Sequence, residues 1–501
     1  AAHAPLDWRA APRAAARAQN PARGALSLCP AAGAADAALA RALARLAAAG
    51  AQLQAQQADE ALVWTLHAHG FVGRSVAPAV AQQASPDLHA DYSSRRVLAV
   101  VPPALLRRAV VIGAGVAGAA ACQRLCASGW EVTLIERHAE PGQEASGNRA
   151  GIYMPLLSKD DNIPTRLSRA AYLFALREWQ RLGGAGQAFD GAACGVLQLA
   201  RDAAHAQVQR EVVQGWGYPE AYVRWLDAAA ASAVLGATTP HGGWLFGQGG
   251  WARPASLCQA MLARCGARLT RRFQHTALTL TRSGDDWLVC GADGALLAQA
   301  PTVILANGTG ARSIAQSAAL PLTALRGQVT HLAVGDGSSG VPQLPLVVCR
   351  EAYVTPPTHG IVSAGATYDS DDATALRASS QQENLARLAE IVGDDGLTAR
   401  LAQAPLAGRV GFRCAAPDRL PLAGALPDEA AAGRLEQLSD VPRHPGLYGL
   451  LGYASRGLIW APLMAELLLA QLERRPLPVE ASLAAALDPG RFLLKQRRRQ
   501  Q

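Results

Sequence analysis

Three glycines at the spacing of a dinucleotide-binding turn are the residues of this sequence most clearly suited to binding a ligand. The motif reads Gly113, Ala114, Gly115, Val116, Ala117 and Gly118. The first glycine lets the chain turn tightly, the second leaves room for a pyrophosphate, and the third lets a helix pack closely on a strand. Free N–H groups at the start of that helix bind the phosphate. Glu136, at the end of the next predicted strand, places a carboxylate where ribose hydroxyls can donate to it.

The elements around this motif are those that must position it. An apolar strand, Ala109–Ile112, leads into the first glycine, and a helix over Ala119–Ser128 follows and ends at Gly129, a residue type favoured after a helix C-terminus. A second apolar strand covers Glu131–Ile135. The order strand, turn, helix, strand fills about thirty residues and is typical of a nucleotide-binding unit. This unit alone fits either NAD or FAD, and a glycine-rich turn without a ligand is the alternative.

Three further segments favour FAD over NAD. Arg137 follows the acidic residue directly, and about ten residues later small polar residues would form a loop over a flavin pyrophosphate. The residues concerned are Ser146, Gly147 and Asn148 in that loop, Ala306 and Gly308 at the end of a later strand, and Gly452, Ser455, Gly457 and Leu458 at the start of the last long helix. N–H groups at the start of that helix could stabilise negative charge on a reduced flavin ring.

Composition excludes several other classes of protein. The chain has 501 residues, of which 50% are hydrophobic and 17% charged, so it can bury sizeable cores and is not disordered as a whole. The most apolar stretch, Leu447–Leu472, contains Arg456 and three glycines, which predicts a strand, turn and helix instead of a membrane span. The nine cysteines are dispersed without a CxxC pair, which predicts a cytoplasmic location and no bound metal. The formal net charge of +8 permits an anionic partner without demonstrating one.

The remaining pattern predicts an α/β fold with a second, interleaved α+β domain. Strands are predicted at Leu288–Cys290, Val303–Ala306, Leu346–Val348 and within Tyr448–Gly457, and helices over Gln381–Ile391 and Leu458–Leu472. Nearer the N-terminus, Ala37–Ala49 predicts a helix and Ala61–Leu66 a strand or a helix, followed by a proline-punctuated linker.

Longer motifs carry a family resemblance. They are Glu144–Pro155, Gly242–Trp244 with Pro254–Cys258, Arg326–Gln328, Gly365–Tyr368, Gly408–Val410 through Asp418–Pro421, Ser455–Leu458 and Asp488–Phe492. Together with the glycine unit, they resemble the D-amino-acid-oxidase-type flavoproteins, and more narrowly the C-terminal FAD-dependent oxidoreductase part of the MnmC family of tRNA-modifying enzymes. This resemblance covers about residues 107–495. It implies FAD as the cofactor and a Rossmann-type FAD-binding domain interleaved with an α+β substrate domain.

The resemblance also implies a division of the chain. Residues 106–501 form the oxidoreductase, with FAD-binding parts at about 106–158, 250–325 and 408–475 and substrate-domain parts at about 159–249 and 326–407. Within residues 1–105, the stretch Ala37–Phe71 resembles only the tail of the family's methyltransferase domain, and the glycine-rich cofactor loop is missing. A methyltransferase remnant and linker, without methyltransferase activity, is therefore expected there. A separate methyltransferase would act on the product.

The implied reaction is oxidative removal of the carboxymethyl group from 5-carboxymethylaminomethyl-(2-thio)uridine at the tRNA wobble position. Its products are the 5-aminomethyl nucleoside and glyoxylate. Such a substrate needs an anchor for its carboxylate, which arginine supplies through two parallel hydrogen bonds. By the same resemblance, Arg413 and Arg456 stand where glycine-type oxidases hold the substrate carboxylate, whereas pairing of either arginine with a structural acid such as Asp418 is the alternative. Tyr353 and Tyr368 could line the pocket, but aromatic residues in strands more often belong to a core.

Other functions remain open from the sequence. A small-molecule glycine, sarcosine or D-amino-acid oxidase would share the fold, the FAD and the arginines. A non-catalytic, FAD-binding, tRNA-associated protein would keep the glycine unit but lose the carboxylate anchor. A tRNA partner requires phosphate contacts from basic residues, for which Arg271–Arg272, Arg474–Arg475 and the run Lys495–Arg499 are candidates.

Overall fold

The computed structural model describes residues 107–334, 340–403, 406–431 and 433–499, together with five short strands nearer the N-terminus. The predicted helix Ala37–Ala49 and the predicted element Ala61–Leu66 lie outside the described residues. The chain divides into two units. One comprises residues 1–103, 437–440 and 469–485, and the other comprises the rest.

The strands and helices are numbered in chain order. The strands are β1 (Ala15–Ala18), β2 (Ala25–Cys29), β3 (Gln52–Ala55), β4 (Phe71–Ser75), β5 (Leu88–Tyr92), β6 (Arg108–Ile112), β7 (Glu131–Glu136), β8 (Gly151–Tyr153), β9 (Gly191–Ala192), β10 (Val196–Leu199), β11 (Arg224–Leu226), β12 (Gly243–Phe246), β13 (Gly250–Ala252), β14 (Leu269–Phe273), β15 (Thr279–Ser283), β16 (Asp286–Cys290), β17 (Leu296–Ala300), β18 (Thr302–Leu305), β19 (Thr323–Ala333), β20 (Val347–Cys349), β21 (Tyr353–Val354), β22 (Ile361–Gly365), β23 (Ala407–Ala415), β24 (Leu422–Pro427) and β25 (Arg443–Leu451). The α-helices are α1 (Val116–Ala127), α2 (Ile163–Leu182), α3 (Ala203–Trp216), α4 (Ala228–Leu235), α5 (Pro254–Ala263), α6 (Ala378–Val392), α7 (Leu397–Leu401), α8 (Gly457–Leu472), α9 (Ala481–Ala485) and α10 (Arg491–Arg499). Short 3-10 helices cover Ala145–Gly147, Gly266–Arg268, Gly308–Ser313, Ala315–Ser317 and Leu438–Asp440.

The N-terminal unit contains a five-stranded sheet in the order β1-β2-β3-β5-β4. Strands β2 and β3 run parallel, and the other neighbours run antiparallel. Its strands have no counterpart among the elements predicted from the sequence.

A six-stranded sheet in the order β14-β7-β6-β18-β25-β24 forms the centre of the larger unit. Its first five strands are parallel, and β24 pairs antiparallel with β25 at one edge. The parallel strands are apolar because both faces of the sheet are covered, and β18 is buried throughout. The sequence prediction of β6, β7 and β18 is confirmed.

Helix α1 connects β6 to β7 and begins at Val116, three residues earlier than predicted. The last two glycines of the motif therefore lie at its start, with Gly115 as its N-cap. The helix ends where predicted, because the N–H groups of Ser128 and Gly129 bond to Leu125 and Cys126 and Gly129 takes a φ of +86°. This parallel βαβ arrangement confirms the predicted α/β class.

An eight-stranded, mostly antiparallel sheet forms the interleaved α+β part, in the order β11-β12-β10-β20-β21-β22-β19-β23. Helices α6 and α7 pack their apolar residues, including Leu385 and Leu401, against strand residues such as Val362. The amphipathic helix predicted over Gln381–Ile391 is confirmed as α6. Strand β23 pairs along β19, from Thr323 opposite Ala415 to His331 opposite Ala407. The domain ranges given above remain a prediction.

The apolar C-terminal stretch forms a strand, a turn and a helix, as predicted. Strand β25 is buried from Leu447 to Leu451 between its sheet neighbours, and α8 starts at Gly457. Within the part of the chain that the structure describes, no helix is long and apolar enough to cross a membrane.

Candidate active site

A cavity of about 730 Å³ opens at the carboxyl ends of the parallel strands β6, β7, β18 and β25. Ligands of open α/β sheets bind at this edge, where the strand order reverses. Residues of the eight-stranded sheet, including Gly327 and Arg413, complete its wall. The cavity therefore combines residues from both sheets in one site.

Most of the site residues predicted from the sequence line this cavity. They are Gly113, Gly115, Val116, Ala117, Glu136, Arg137, Ser146, Asn148, Ala306, Gly308, Arg413, Gly452, Ser455, Arg456, Gly457 and Leu458. Three predicted residues, Ala114, Gly118 and Gly147, are not in its lining. Ala114 is fully buried and contributes through its backbone N–H instead.

The glycine turn has the geometry that its motif requires. Gly113 has a φ of +103°, which a side chain would strain, and its N–H donates to Ile135 O at 2.8 Å. A Cβ at Gly118 would lie 1.8 Å from Gly113 O, so only glycine lets the helix approach the turn this closely. A Cβ at Gly115 would lie 3.1 Å from Ser146 Oγ, in the space before the helix N-terminus.

Glu136 is buried at the end of β7 and lines the cavity. Its Oε2 accepts from the Ala114 N–H at 2.7 Å, and its Oε1 accepts from the His138 N–H at 3.0 Å. Each carboxylate oxygen can accept more than one hydrogen bond. The carboxylate is thus oriented by the backbone and retains acceptor capacity for a ligand hydroxyl.

Polar side chains near the surface form a cluster beside Glu136. Arg137 and His138 both bond to Glu144 Oε1, the latter at 2.7 Å. Burial opposes ionisation of Glu144, but the hydrogen bond from His138 and the charge of Arg137 hold the pKa of Glu144 below its ordinary value. An anionic Glu144 keeps Arg137 at the cavity edge.

Arg409, on β23, is a residue that the sequence analysis missed. Its guanidinium donates to the carbonyl oxygens of Gln143 and Glu144, the second at 2.5 Å, and to Asn148 Oδ1 at 3.4 Å. Burial lowers the pKa of Arg409, and the charge of Glu144 opposes that shift. Arg409 thereby fixes the loop that carries Ser146 and Asn148. The Gly408–Val410 motif, which contains Arg409, was the sequence feature from which its role could have been inferred.

The two predicted anchor arginines both line the cavity. Arg413 Nη1 donates to Thr367 O at 3.3 Å, and Arg456 Nη1 donates to Met154 O at 3.2 Å. Neither has an acidic partner among the ion pairs of the described residues, whereas Asp418 pairs with Arg491 at 2.9 Å. Burial lowers the pKa of the Arg456 guanidinium. Two cationic groups without carboxylate partners in one cavity form a favourable environment for an anionic ligand.

Gly327 leaves the space that Arg413 occupies. A Cβ at Gly327 would lie 2.1 Å from Arg413 Nη1. Its neighbours Arg326 and Gln328 are fully buried, and Arg326 Nη2 donates to Gln328 Oε1 at 3.1 Å. The Arg326–Gln328 motif thus supports the strand surface on which Arg413 lies.

Two tyrosines set aside in the sequence analysis also line the cavity. Burial raises the pKa of Tyr353 to about 12, against the effect of the Arg413 charge. Tyr368 packs its ring on the Arg413 guanidinium, with 4.3 Å from Cζ to the ring centroid. The sequence analysis left a pocket position open for both but favoured a core position. Tyr368 differs from that expectation because it follows β22 in a loop, whereas Tyr353 lies in β21, at the wall of the cavity.

The cavity fits FAD on features of its own residues. The glycine cradle, the Glu136 carboxylate and the α1 N-terminus supply a pyrophosphate and ribose site. Asn307 Oδ1 and Tyr453 Oη, both on cavity residues, are buried and have no hydrogen-bond partner within the described chain. Buried polar atoms of this kind indicate a missing polar ligand. In the described ranges, no cluster of three metal-binding side chains occurs.

Comparison with known proteins agrees with this geometry. Residues 108–472 match the family described as FAD dependent oxidoreductase. The chain is 47% identical over 398 residues to the tRNA 5-methylaminomethyl-2-thiouridine biosynthesis bifunctional protein MnmC of Azoarcus sp., covering 79% of this chain and 62% of that protein. It is 44% identical over 472 residues to the protein of the same name from Burkholderia thailandensis, covering 92% and 71%. The chain thus spans only part of the length of these relatives.

Solved structures with the same fold include two proteins named as oxidases. Glycine oxidase from Geobacillus kaustophilus superposes with a TM-score of 0.60 at 20% identity, covering 77% of this chain and 99% of that one. Iminodiacetate oxidase from Chelativorans sp. gives a TM-score of 0.58 at 25% identity, covering 74% and 97%. The family match and the curated relatives agree with the site built from the residues. The chain therefore belongs to the FAD-dependent oxidoreductases of the D-amino-acid-oxidase type, with FAD as its cofactor, and within them to the group of the MnmC proteins.

Proposed function

We propose that this protein oxidatively removes the carboxymethyl group from 5-carboxymethylaminomethyl-(2-thio)uridine at the wobble position of tRNA. The products are the 5-aminomethyl nucleoside and glyoxylate. The observation that carries the proposal is the presence of Arg413 and Arg456, without acidic partners among the described ion pairs, in the cavity that contains the dinucleotide turn. An anionic substrate group can therefore be held close to the cofactor.

The reaction needs a two-electron acceptor beside the substrate C–H bond. FAD, when bound, would supply this acceptor for a hydride from the carboxymethyl CH2 group. The substrate nitrogen then forms an imine, water adds to the imine carbon, and the C–N bond breaks to give glyoxylate and the primary amine. Electrons leave the substrate as the hydride, so atoms and charge balance once the cofactor is reoxidised by oxygen or another acceptor.

The residues proposed to hold FAD follow from their positions in the cavity. The Gly115 N–H group and the positive end of the α1 dipole would bind the pyrophosphate, because the Gly113, Ala114 and Val116 N–H groups already donate to Ile135 O, Glu136 Oε2 and Ser146 Oγ. Glu136 would accept from the ribose hydroxyls. Ser146 and Asn148, held by Arg409, cover the pyrophosphate. The predicted residues on the other two strands lie along the same cavity, namely Ala306, Gly308, Gly452, Ser455, Gly457 and Leu458.

The proposed role of Arg413 and Arg456 is to bind the substrate carboxylate and to orient the substrate. A guanidinium holds a carboxylate through two parallel hydrogen bonds, which fixes the adjacent CH2 group relative to the cofactor. The half-buried position of Arg456 strengthens that attraction, because water screens it less than at the surface. No side-chain base is required when the substrate amine arrives neutral.

The relatives support this choice of substrate. The proteins that are 44–47% identical carry the name of a tRNA 5-methylaminomethyl-2-thiouridine biosynthesis enzyme. The structural neighbour at 25% identity is named for iminodiacetate, which, like the proposed substrate, is a secondary amine with an N-carboxymethyl group. A tRNA substrate would place the reaction in the cytoplasm.

The segment 1–105 enters the proposal as a methyltransferase-like remnant. The alignment with the Burkholderia thailandensis relative covers 92% of the chain, so it extends into this segment. A separate methyltransferase acting on the aminomethyl product would complete the modification.

A small-molecule glycine or sarcosine oxidase is the second candidate, favoured by the glycine oxidase fold. One experiment separates the two functions. The purified yellow protein is mixed anaerobically with tRNA that carries the carboxymethylaminomethyl group, with the same tRNA lacking it, or with free glycine or sarcosine. Bleaching of the flavin by the first tRNA alone is expected, whereas bleaching by free glycine or sarcosine but not by tRNA would overturn the proposal.

A further inference from the structure

Tyr368 presents an aromatic ring to the cavity while 54% of its surface is exposed. Burial of a large aromatic side chain is strongly favourable, so a ligand that covers this ring would gain binding energy. Its location at the wall of the active-site cavity, in the loop after β22, points to a ligand that covers it.

One face of the Tyr368 ring is already occupied. The Arg413 guanidinium packs over it, with 4.3 Å between Cζ and the ring centroid. Because 54% of the Tyr368 surface is exposed, a flat partner can still reach the ring. The Tyr368 ring thus has Arg413 as its neighbour on one face, and it lies beside the site where the substrate carboxylate is proposed to bind.

The backbone on both sides of Tyr368 is held firmly. Arg326 and Asp369 exchange two backbone hydrogen bonds of 2.9 and 3.0 Å, and Arg326 Nη1 donates to Asp369 Oδ2 at 3.0 Å. The Thr367 N–H donates to Gln328 O at 3.2 Å. Because Arg326 is fully buried, the backbone that carries Tyr368 is fixed from inside. Such preorganisation reduces the entropy that a ligand loses on stacking.

We propose that Tyr368 stacks on the pyrimidine ring of the wobble nucleotide and so selects a nucleoside over a free amino acid. This inference rests on the proposed function. In that substrate, only a –CH2–NH–CH2– link separates the pyrimidine from the carboxylate, so Tyr368 and its neighbour Arg413 can contact the two ends together. Single-stranded bases are commonly recognised by stacking on aromatic side chains.

The test compares Tyr368→Ala, Tyr368→Phe and the wild type with tRNA carrying the carboxymethylaminomethyl group. Trp216→Ala is the matched control, because Trp216 is also an exposed aromatic residue, at 47%, and does not line the cavity. For Tyr368→Ala, KM is expected to rise at least about tenfold, with kcat changing far less. Tyr368→Phe keeps the ring and retains a KM close to that of the wild type. Trp216→Ala leaves both constants unchanged.

The outcomes separate failure of the proposed function from failure of the stacking role of Tyr368. If the wild type is not reduced by the tRNA, the proposed function fails. If the wild type reacts and Tyr368→Ala has an unchanged KM, the function stands and the stacking role is wrong. Failure of Tyr368→Phe to restore KM would assign the role to the hydroxyl and overturn stacking. Because Arg413→Ala is itself expected to raise KM, the double variant Tyr368→Ala/Arg413→Ala is also compared with Arg413→Ala. Equal KM values in these two variants would assign Tyr368 to positioning Arg413 and overturn stacking, whereas a further rise in the double variant supports it.

Discussion

The Glu136 carboxylate accepts a hydrogen bond from the Ala114 N–H at 2.7 Å. This bond joins the end of β7 to the glycine turn after β6, although the two residues are 22 positions apart. The group proposed to bind the ribose and the turn proposed to bind the pyrophosphate therefore keep one fixed relation. Loss of the carboxylate should affect both.

Replacement of Glu136 by alanine is expected to weaken FAD binding by about 10- to 100-fold. A hydrogen bond to a charged group contributes about 1.5–3 kcal/mol, which corresponds to this range. The dissociation constant is measured by flavin fluorescence on the apoprotein. Glu131→Ala is the control, because Glu131 begins the same strand but is exposed and does not line the cavity. Equal FAD affinities in the two variants would contradict the assignment of Glu136.

A methyl group at Gly118 should destabilise the protein and impair FAD binding. The added Cβ would lie 1.8 Å from the backbone oxygen of Gly113, so the helix must move away from the turn. Overpacking of this kind costs about 1–3 kcal/mol. Gly215→Ala is the matched control, since nothing lies within 4 Å of its Cβ position in α3 and alanine favours a helix. Thermal unfolding followed by circular dichroism should show a lower Tm for Gly118→Ala and an equal or higher Tm for Gly215→Ala.

Replacement of Arg413 by alanine should raise the KM for the modified tRNA at least about tenfold while FAD stays bound. Truncating one partner of a buried charge pair costs about 2–5 kcal/mol, which supports this minimum. Arg413→Lys keeps the charge but loses the two parallel hydrogen bonds, so an intermediate KM is expected. Steady-state kinetics with the flavin absorbance as a check on cofactor content provide the measurement. An unchanged KM would remove Arg413 from the substrate site.

The sequence was sufficient for the parts of the site that depend on neighbouring residues. The glycine turn, α1 and Glu136 follow one another within a single βαβ unit, so their spacing predicts their geometry. Arg409 and the loop it holds are 261 to 266 residues apart in the sequence, and tertiary packing brings them together. No local periodicity contains that information.

The role of Tyr368 could not be predicted for the same reason, namely that it depends on contacts between residues distant in the sequence. Its exposure depends on the loop that buried Arg326 holds in place, and its contact with Arg413 depends on the neighbouring position of β22 and β23 on either side of β19. A tyrosine after an apolar strand is more often part of a core, and the sequence offers no means to distinguish the two cases. Arg413 and Arg456 were found only through the family resemblance, since arginines are common throughout the chain.

Binding of tRNA should depend steeply on salt. The KM for modified tRNA is expected to rise at least about tenfold between roughly 50 and 200 mM salt, because each phosphate contact releases condensed counterions. The charge-depleted variant Lys495→Ala/Arg499→Ala, changed within the basic run at the end of α10, should show a shallower slope if that run contacts phosphate. A KM that does not vary with salt in the wild type would contradict a tRNA substrate held by basic residues.

His331 should make the protein less stable in mild acid. It is buried on β19, and desolvation, with the charges of Arg149 and Arg409, lowers its pKa from 6.5 to about 4. Between these two values the unfolded chain binds a proton that the folded protein does not bind. The free energy of unfolding therefore falls as the pH drops from 6.5 towards 4, by up to about 3 kcal/mol, and this contribution is absent above pH 6.5.

The measurement for His331 is urea unfolding of the wild type and of His331→Gln at pH 7.5 and pH 5. Glutamine cannot take up a proton, so the variant should lose less stability than the wild type over this interval. Other groups titrate in the same range, but they contribute equally to both proteins, and the difference between the two losses isolates His331. Equal losses in the two proteins would show that His331 is protonated in the folded state and that its burial leaves its pKa near the ordinary value.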